Sequence, residues 1–311
     1  MTFHALAKVN LGLRVLYRRA DNFHEIRTVF QTISLADKLE LNYRRGGKAR
    51  SVELTCSRPE LSGPANLAAR AALRLLEATG SRGRVRLQLE KRIPVGAGLG
   101  GGSSDAAAVL LALGSLLRPE PGWELLHRVA EELGSDVPYF LVGGRALGAG
   151  RGTDVYAIPD ISPQWMIVVA PGVEVSTAEA YRRLSPRLTT ASYDDKIDRF
   201  YSSFSALERG PGGLARDFRV GLENDFEPVV FRMHPELEKL KARLKRLGAR
   251  PALLCGSGSA LFGMFAGREQ ALRARNSLEL DDGCCFVVKT VGRSGYYARW
   301  RRWLNENERS H

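Results

Sequence analysis

The segment Pro94–Ala108, PVGAGLGGGSSDAAA, concentrates the residue types best suited to chemistry in this 311-residue chain. Gly96, Gly98, Gly100, Gly101 and Gly102 fall within seven positions, and Ser103, Ser104 and Asp105 follow directly. Glycine admits positive φ and lets a ligand approach the backbone with no Cβ in the way. Two serine hydroxyls and the free N–H groups of a following helix add hydrogen-bond donors and partial positive charge. The chemistry such a segment can do is to cradle phosphate. The blander reading is a flexible hairpin or a tight helix start, which needs neither the serines nor so many glycines. No Gly-Lys-Ser/Thr occurs, so this is not a Walker A loop. Residues 96–101 satisfy G-x-G-x-x-G, and Glu120 stands about 20 residues on, as in a dinucleotide fingerprint. Lys91, Arg92 and Pro94 separate this loop from the strand before it, however, and no βαβ alternation follows. A dehydrogenase is therefore set aside.

The elements around the loop follow from hydrophobic periodicity. Residues 85–90, VRLQLE, alternate and predict a strand leading into the glycines. Ser103-Ser104-Asp105 is expected to cap the helix that follows, AAAVLLALGSLL. Upstream, residues 5–16 read as a strand and 20–24 as a turn. EIRTVFQTISL and DKLELNY read as strand segments, 44–50 as a basic hairpin or loop, and 52–56 as a strand. Asn66 is a good N-cap and Gly80 a good stop for a helix between them. Further helices are predicted at 123–133, 224–232, 235–247 and near 268–280, with strands at 166–171 and 284–291. Residues 141–158 read as strands with tight turns, and 191–217 as the most loop-like stretch. Helices and strands mix without strict alternation, which predicts an α+β fold.

The length suits two domains. With 44% hydrophobic and 26% charged residues the composition is that of a globular protein. No apolar run is long enough for a membrane span, and residues 1–10 lack the pattern of a signal peptide, so a cytoplasmic location is expected. Cys56, Cys255, Cys284 and Cys285 show no metal-ligand spacing and read as reduced thiols. The net charge of +12 favours anions: nucleotides, phosphorylated metabolites or nucleic acid. The tail 296–311 sets Tyr297, Arg299, Trp300, Arg301, Arg302 and Trp303 side by side, a pattern that can grip single strands. A solvated helix with its aromatics packed on the body explains the tail as well, so nucleic acid is not expected as a partner.

Residues Pro94, Gly98, Leu99 and Gly100, with Ser103 and Ser104 set back by a glycine triplet, resemble the second motif of the GHMP kinases. The GLGGGSS form is similar to that of the diphosphocytidyl-methylerythritol kinases within that superfamily. AKVNLGL (7–13) with RADNFHEI (19–26), LGSDVPYFLVGG (133–144), LENDFEPVV (222–230) and CGSGSALFGMF (255–265) resemble further segments of the same family, in order along nearly the whole chain. The resemblance implies a two-domain architecture: an N-terminal ATP-binding domain over 1–160 and a C-terminal α/β sandwich domain over 161–311. It implies ATP as phosphoryl donor, Mg²⁺ as its companion, and a small-molecule acceptor, the 2-hydroxyl of a cytidylylated methylerythritol in non-mevalonate isoprenoid synthesis.

Roles follow residue by residue from the same resemblance. Asp136 would take the proton of the acceptor hydroxyl, and Lys8 would keep that carboxylate ionised and steady charge on the transferring phosphoryl. By residue type alone Lys8 reads as a solvated strand lysine and Asp136 as a helix N-cap. The loop Pro94, Val95, Gly96, Ala97, Gly98, Leu99, Gly100, Gly101, Gly102, Ser103 and Ser104 would hold ATP, with Asn66 and Lys91 near the adenine. Asn10, Phe23, His24 and Tyr181 would hold the acceptor, the rings stacking on its base. The chain departs from the family pattern at Phe23, where tyrosine is usual, and at Asn22, where glycine is usual. Ser104 or Asp105 could meet Mg²⁺, although Asp105 serves equally as a charge at a helix N-terminus. The metal ligands and the oligomeric state are left unassigned. Another GHMP kinase acting on mevalonate-type, homoserine or sugar acceptors is the in-class alternative.

Overall fold

Two long strands, β1 (Thr2–Arg18) and β2 (His24–Arg45), pair antiparallel and set the frame for the first half of the chain. The computed structural model describes residues 2–185, 200, 222–280 and 282–299. β2 is one strand of 22 residues rather than the two expected segments. Ser34–Lys38 contains no Gly, Pro or Asn to turn the chain, so the ladder runs through. One edge of β2 carries β1. The other is shared between β5 (Arg145–Ala149) and β4 (Gly83–Glu90), and β6 (Asp154–Ala157) extends beyond β5.

Of the hairpin or loop expected at 44–50, residues 46–49 form a loop, with Arg44 and Arg45 still in β2. The next strand, β3 (Arg50–Cys56), does not pair with β2 but runs parallel to β4, which lies between them. A parallel pair needs a crossover, here helix α1 (Leu67–Ala78), capped by Asn66 and followed by Gly80 at φ +67°. Helices α2 (Gly101–Leu116) and α3 (Trp123–Leu133) pack beside α1 on the face of this sheet turned away from the second sheet. The alternation of β4 is realised, with Val85, Leu87 and Leu89 buried and Arg84, Arg86 and Gln88 exposed. The expected strand content at 141–142 is instead the end of a short helix, α4 (Val137–Val142), started by Pro138 in its first turn.

The second sheet has the order β10-β7-β9-β8 and is antiparallel throughout, built from β7 (Trp165–Ala170), β8 (Ala252–Leu254), β9 (Leu261–Phe265) and β10 (Cys284–Lys289). Helices α5 (Thr177–Leu184), α6 (Glu227–Met233), α7 (Pro235–Arg246) and α8 (Arg268–Asn276) accompany it. Met166, Val168 and Ala170 of β7 meet Val9, Leu11 and Ile33 of the first sheet, while Ile167 and Val169 meet the helices. Burial on both faces is why this strand is an unbroken apolar run. The result is an α+β fold in which two sheets share one apolar layer and each carries helices on its other face. The loop residues Ala97 and Leu99, with Cys255 and Ala260, belong to that shared layer.

Of the C-terminal tail, residues 293–299 are helical, and Tyr296 and Tyr297 donate hydrogen bonds to the carbonyls of Phe140 (2.5 Å) and Leu141 (2.8 Å). Their rings pack on the body. Trp300, Arg301, Arg302 and Trp303, like most of the stretch 191–217, lie outside the described residues. No described helix is long and apolar enough to cross a membrane.

Candidate active site

Gly96, Gly98 and Gly100 all adopt positive φ, at +71°, +79° and +69°. α2 begins at Gly101 with Gly100 as its N-cap, three residues before the start of the expected cap at Ser103–Asp105. The left-handed glycine turns the chain into the helix before the serines arrive. The Ser104 N–H then donates to the Gly100 carbonyl (2.8 Å), and its hydroxyl to the Leu6 carbonyl (2.7 Å). Close approach requires glycine here. A Cβ at Gly98 would run into the Cys255 carbonyl, and one at Gly100 would lie 2.9 Å from the Phe140 ring and 3.1 Å from Lys8 Cγ. The loop from Pro94 to Ser103 lines a cleft of about 410 Å³ together with Asn66, Lys91, Asp105 and Thr177.

Lys8 stands directly behind this loop, its N–H donating to the Leu99 carbonyl at 3.0 Å. Its Nζ lies 3.2 Å from Asp136 Oδ2 and donates to Asn10 Oδ1 at 2.8 Å. Asn10 Nδ2 continues to Thr28 Oγ1 (2.8 Å), which donates to the Gly12 carbonyl (2.8 Å). Lys8 is buried, so it is not a solvated strand lysine. Irregularities in the β1–β2 register between Leu6 and Lys8 and between Asn10 and Gly12 bracket the pair, and bulges of this kind re-aim side chains. Asp136 does sit at the N-cap position of α4, but its side chain makes no capping hydrogen bond. With about a third of its side-chain surface exposed, it turns to Lys8 instead.

A second charged group lies under the cleft. Lys91 Nζ is paired with Asp37 and, at 2.9 Å, with Asp105 Oδ2, all three side chains being nearly fully buried. Asp37 Oδ1 also accepts the N–H groups of Arg92 (2.6 Å) and Ile93 (2.8 Å), which fixes the strand-to-loop junction. Burial opposes the charge on Lys91, but Asp105 and Asp37 outweigh it and raise its pKa. Burial, opposed by Lys91 and reinforced by the Asp37 carboxylate, pushes Asp105 up to about 8. Asp105 is thus part of a buried charge cluster rather than an exposed helix-terminal charge. The Asn66 side chain is committed to its own helix, accepting from Ala68 N (2.9 Å) and donating to the Leu61 carbonyl (2.8 Å).

On the far side, His24 and Tyr181 stack with ring centres 4.7 Å apart, and Tyr181 meets Phe226 edge-on. Burial pushes the Tyr181 hydroxyl up to about 12, and the Asp136 charge adds to the effect. The His24 ring is 2.7 Å from Ser185 Oγ, and burial, then Arg18, lowers its pKa. Asn22 has φ +68°, which explains why glycine suits that position and why asparagine replaces it at small cost. Phe23 is 48% exposed, with the Arg151 guanidinium 5.2 Å from its ring centre. The 255–260 loop closes the centre. A Cβ at Gly256 would lie 3.5 Å from Asn10 Oδ1 and 3.7 Å from both Lys8 Nζ and the Gly98 carbonyl oxygen. Ser257 is hydrogen-bonded to Thr177 at 2.8 Å.

Residue-type reasoning passed over Thr28, Asp37, Arg151 and the contacts of Asn224. Only Asp37 left a signal, since it shares strand parity with the buried Leu35, Leu39 and Leu41.

A glycine cradle ahead of a small-residue helix, a buried lysine paired with a carboxylate beside it, and a second glycine loop against both define a GHMP-type kinase. The family models for the GHMP kinase N-terminal and C-terminal domains match residues 66–144 and 203–281. The chain is 47% identical over 306 residues to a 4-diphosphocytidyl-2-C-methyl-D-erythritol kinase of Solibacter usitatus, covering 98% of this chain and 93% of the relative. It is 41% identical over 299 residues to that of Moorella thermoacetica, covering 94% and 99%. A crystal structure of 4-(cytidine 5'-diphospho)-2C-methyl-D-erythritol kinase superposes with a TM-score of 0.77 at 38% identity, covering 94% of this chain and all of that one. The chain belongs to the GHMP kinases and, within them, to the 4-diphosphocytidyl-2-C-methyl-D-erythritol kinase family.

Proposed function

We propose that the chain transfers the γ-phosphoryl group of ATP to the 2-hydroxyl of 4-diphosphocytidyl-2-C-methyl-D-erythritol, a step of the non-mevalonate route to isoprenoid precursors. The observation that carries this reading is the buried Lys8 paired with the partly exposed Asp136 against the glycine cradle, in a chain 47% identical to such a kinase. Asp136 accepts the hydroxyl proton as the oxygen attacks the γ-phosphorus. Lys8 pairs with the carboxylate and faces charge that develops on the phosphoryl oxygens. Loop N–H groups, the start of α2 and Ser103 bind the phosphates. Asn66 and Lys91 shape the floor of the nucleotide cleft. Phe23, His24 and Tyr181 bind the cytosine, and Asn10 holds Lys8 in position. The division between an ATP-binding domain and a C-terminal domain falls near residue 160, in the chain between β6 and β7.

Mg²⁺ belongs to the same proposal. The ion keeps several waters and takes one or two protein oxygens besides substrate phosphates. One or two protein oxygens at the cleft would suffice, with the phosphates supplying the rest of the coordination. The partly exposed Asp136 and the Ser103 hydroxyl are the available oxygens. Ser104 is turned to Leu6, and Asp105 is held by Lys91. When bound, the metal neutralises phosphate charge. A cytoplasmic site of action is proposed because ATP and a nucleotide-linked acceptor are supplied there.

The test is to incubate the protein with Mg-ATP and the cytidylylated acceptor and follow ADP release and the phosphorus spectrum. ADP with a new phosphomonoester signal is expected. ATP binding without turnover would discard this acceptor and direct the search to mevalonate-type and sugar alcohols.

A further inference from the structure

Apart from Phe226, whose ring meets Tyr181 edge-on, the segment 223–227 touches none of the groups assigned to substrate, yet it bonds to both walls of the centre. Against β1, Leu13 N–H donates to the Glu223 carbonyl (2.9 Å) and Asp225 N–H to the Leu13 carbonyl (3.0 Å). The Asp225 carboxylate accepts from Val15 N–H (3.0 Å) and Arg14 Nη1 (2.8 Å). Against the glycine loop of the second sheet, Asn224 Nδ2 donates to the carbonyls of Leu254 (2.9 Å) and Gly256 (2.7 Å). Asn224 Oδ1 accepts from Phe226 N–H (3.0 Å), so every polar atom of this buried side chain is engaged. Gly256 is the point where the three glycine- and lysine-bearing segments converge, since a Cβ there would lie within 3.7 Å of Asn10 Oδ1, Lys8 Nζ and the Gly98 carbonyl oxygen. The same loop holds the phosphate cradle, through Ala260 N–H donating to the Ala97 carbonyl (3.1 Å).

We infer that Asn224 is a positioning residue for phosphoryl transfer, clamping the Gly256 loop to the strand that carries Lys8 and Asn10 and thereby fixing the cradle against the catalytic pair. Each donor of Asn224 fixes one carbonyl of the loop, so the loop cannot turn without leaving two buried acceptors unpaired. A pure stability role would need only one such bond. Two bonds to alternate carbonyls, Leu254 and Gly256, set orientation as well as distance. Because reacting groups must be aligned to well under an ångström, a shift of this loop acts on kcat before it acts on nucleotide binding. The inference rests on the kinase reading above.

The test uses the full chain carrying Cys56→Ser, Cys284→Ser and Cys285→Ser, so that Cys255, buried in the clamped loop, is the single thiol. Asn224→Ala removes both donors. Asn224→Ser, which keeps one hydroxyl, replaces it if the alanine variant does not fold. Leu244→Ala, in the apolar core under α7, serves as a variant destabilised at a distance. Well below the melting temperatures, the Asn224 variant is expected to lose on the order of 100-fold in kcat with KM for ATP little changed. Cys255 is expected to react with a small maleimide in that variant and to stay protected in the parent and in Leu244→Ala. A loss of kcat no greater than that of Leu244→Ala, or a Cys255 that stays protected, overturns the inference. If the parent does not turn over the acceptor, the kinase reading has failed, and the labelling comparison alone decides the clamp.

Discussion

The two sides of the centre are built by opposite means. The proposed nucleotide side centres on one contiguous stretch, Gly96–Ser104, shaped by backbone and by the absence of side chains: three positive φ angles and three positions, Gly98, Gly100 and Gly101, where a Cβ has no room. The proposed acceptor side is made of rings from distant segments, Phe23 and His24 where the β1–β2 turn enters β2 and Tyr181 from α5. A close-packed glycine site tolerates little exchange where a Cβ would meet neighbours under about 3 Å away, as at Gly98, Gly100 and Gly101, although not at Gly96 or Gly102. A ring site tolerates exchange of like for like. The two departures from the family pattern, Phe23 and Asn22, both fall on the acceptor side. Lys8 and Asp136 stand between the two and, in the proposed mechanism, serve both.

The hardest blow to either side is therefore to the shared pair. Asp136→Asn keeps size but removes the base, and is expected to cut kcat by about 10²–10⁴-fold while ATP still binds. Product formation measured by phosphorus spectroscopy, alongside ATP binding by calorimetry, checks this. Undiminished turnover would remove Asp136 from the mechanism. Next comes Gly98→Ala, which tests the backbone side. Positive φ in a non-glycine residue costs about 1–3 kcal/mol, and here the Cys255 carbonyl blocks the added methyl as well. Weakened ATP binding and a lower Tm are expected, with equilibrium acceptor binding little changed. Unaltered ATP binding would mean that the cradle does not depend on glycine there.

On the ring side the effect is smaller and falls on the other substrate. Phe23→Ala removes a stacking surface, and an aromatic pair is worth about 0.5–1.5 kcal/mol beyond burial, so KM for the acceptor is expected to rise about 2–10-fold. KM for ATP is expected to stay put, and Phe23→Tyr to restore the acceptor value. Steady-state kinetics with each substrate varied in turn checks this, and equal movement of both KM values would show that the two sides are not independent.

The same contrast explains what could be read in advance. The glycine cradle, the Asn66 cap and the β4 alternation are local patterns, written in adjacent residues and realised as such. The start of α2 was misplaced because Ser103-Ser104-Asp105 is a good capping string, while Gly100, with its left-handed φ, takes over the turn first. The Lys8–Asp136 contact joins a strand to a short helix far along the chain, and neither residue type announces it. Family resemblance supplied both names; the 3.2 Å separation comes from the fold. The Asn224 bonds depend on two loops from the second half of the chain, and no spacing rule links them.

The buried cluster beneath the nucleotide side gives the subtlest test. Two carboxylates, Asp37 and Asp105, face one ammonium, Lys91. With Asp105 ionised the group carries a net negative charge out of water; with Asp105 protonated it is neutral. Burial raises the Asp105 pKa from its ordinary 3.8 to about 8. The sign follows from linkage: the folded chain holds this proton where the unfolded chain has lost it. The stabilisation is complete below the unfolded pKa and is lost as pH rises through the folded one, a window from about pH 4 to 8. Asp105→Asn keeps an oxygen for Lys91 and abolishes the titration. The melting temperature of the variant minus that of the parent should therefore rise from pH 5 to pH 9 in matched buffers, other titrating groups cancelling in the difference. A difference that is flat, or that falls as pH rises, would mean that Asp105 is ionised in the folded chain and that Lys91 pairs with two full charges.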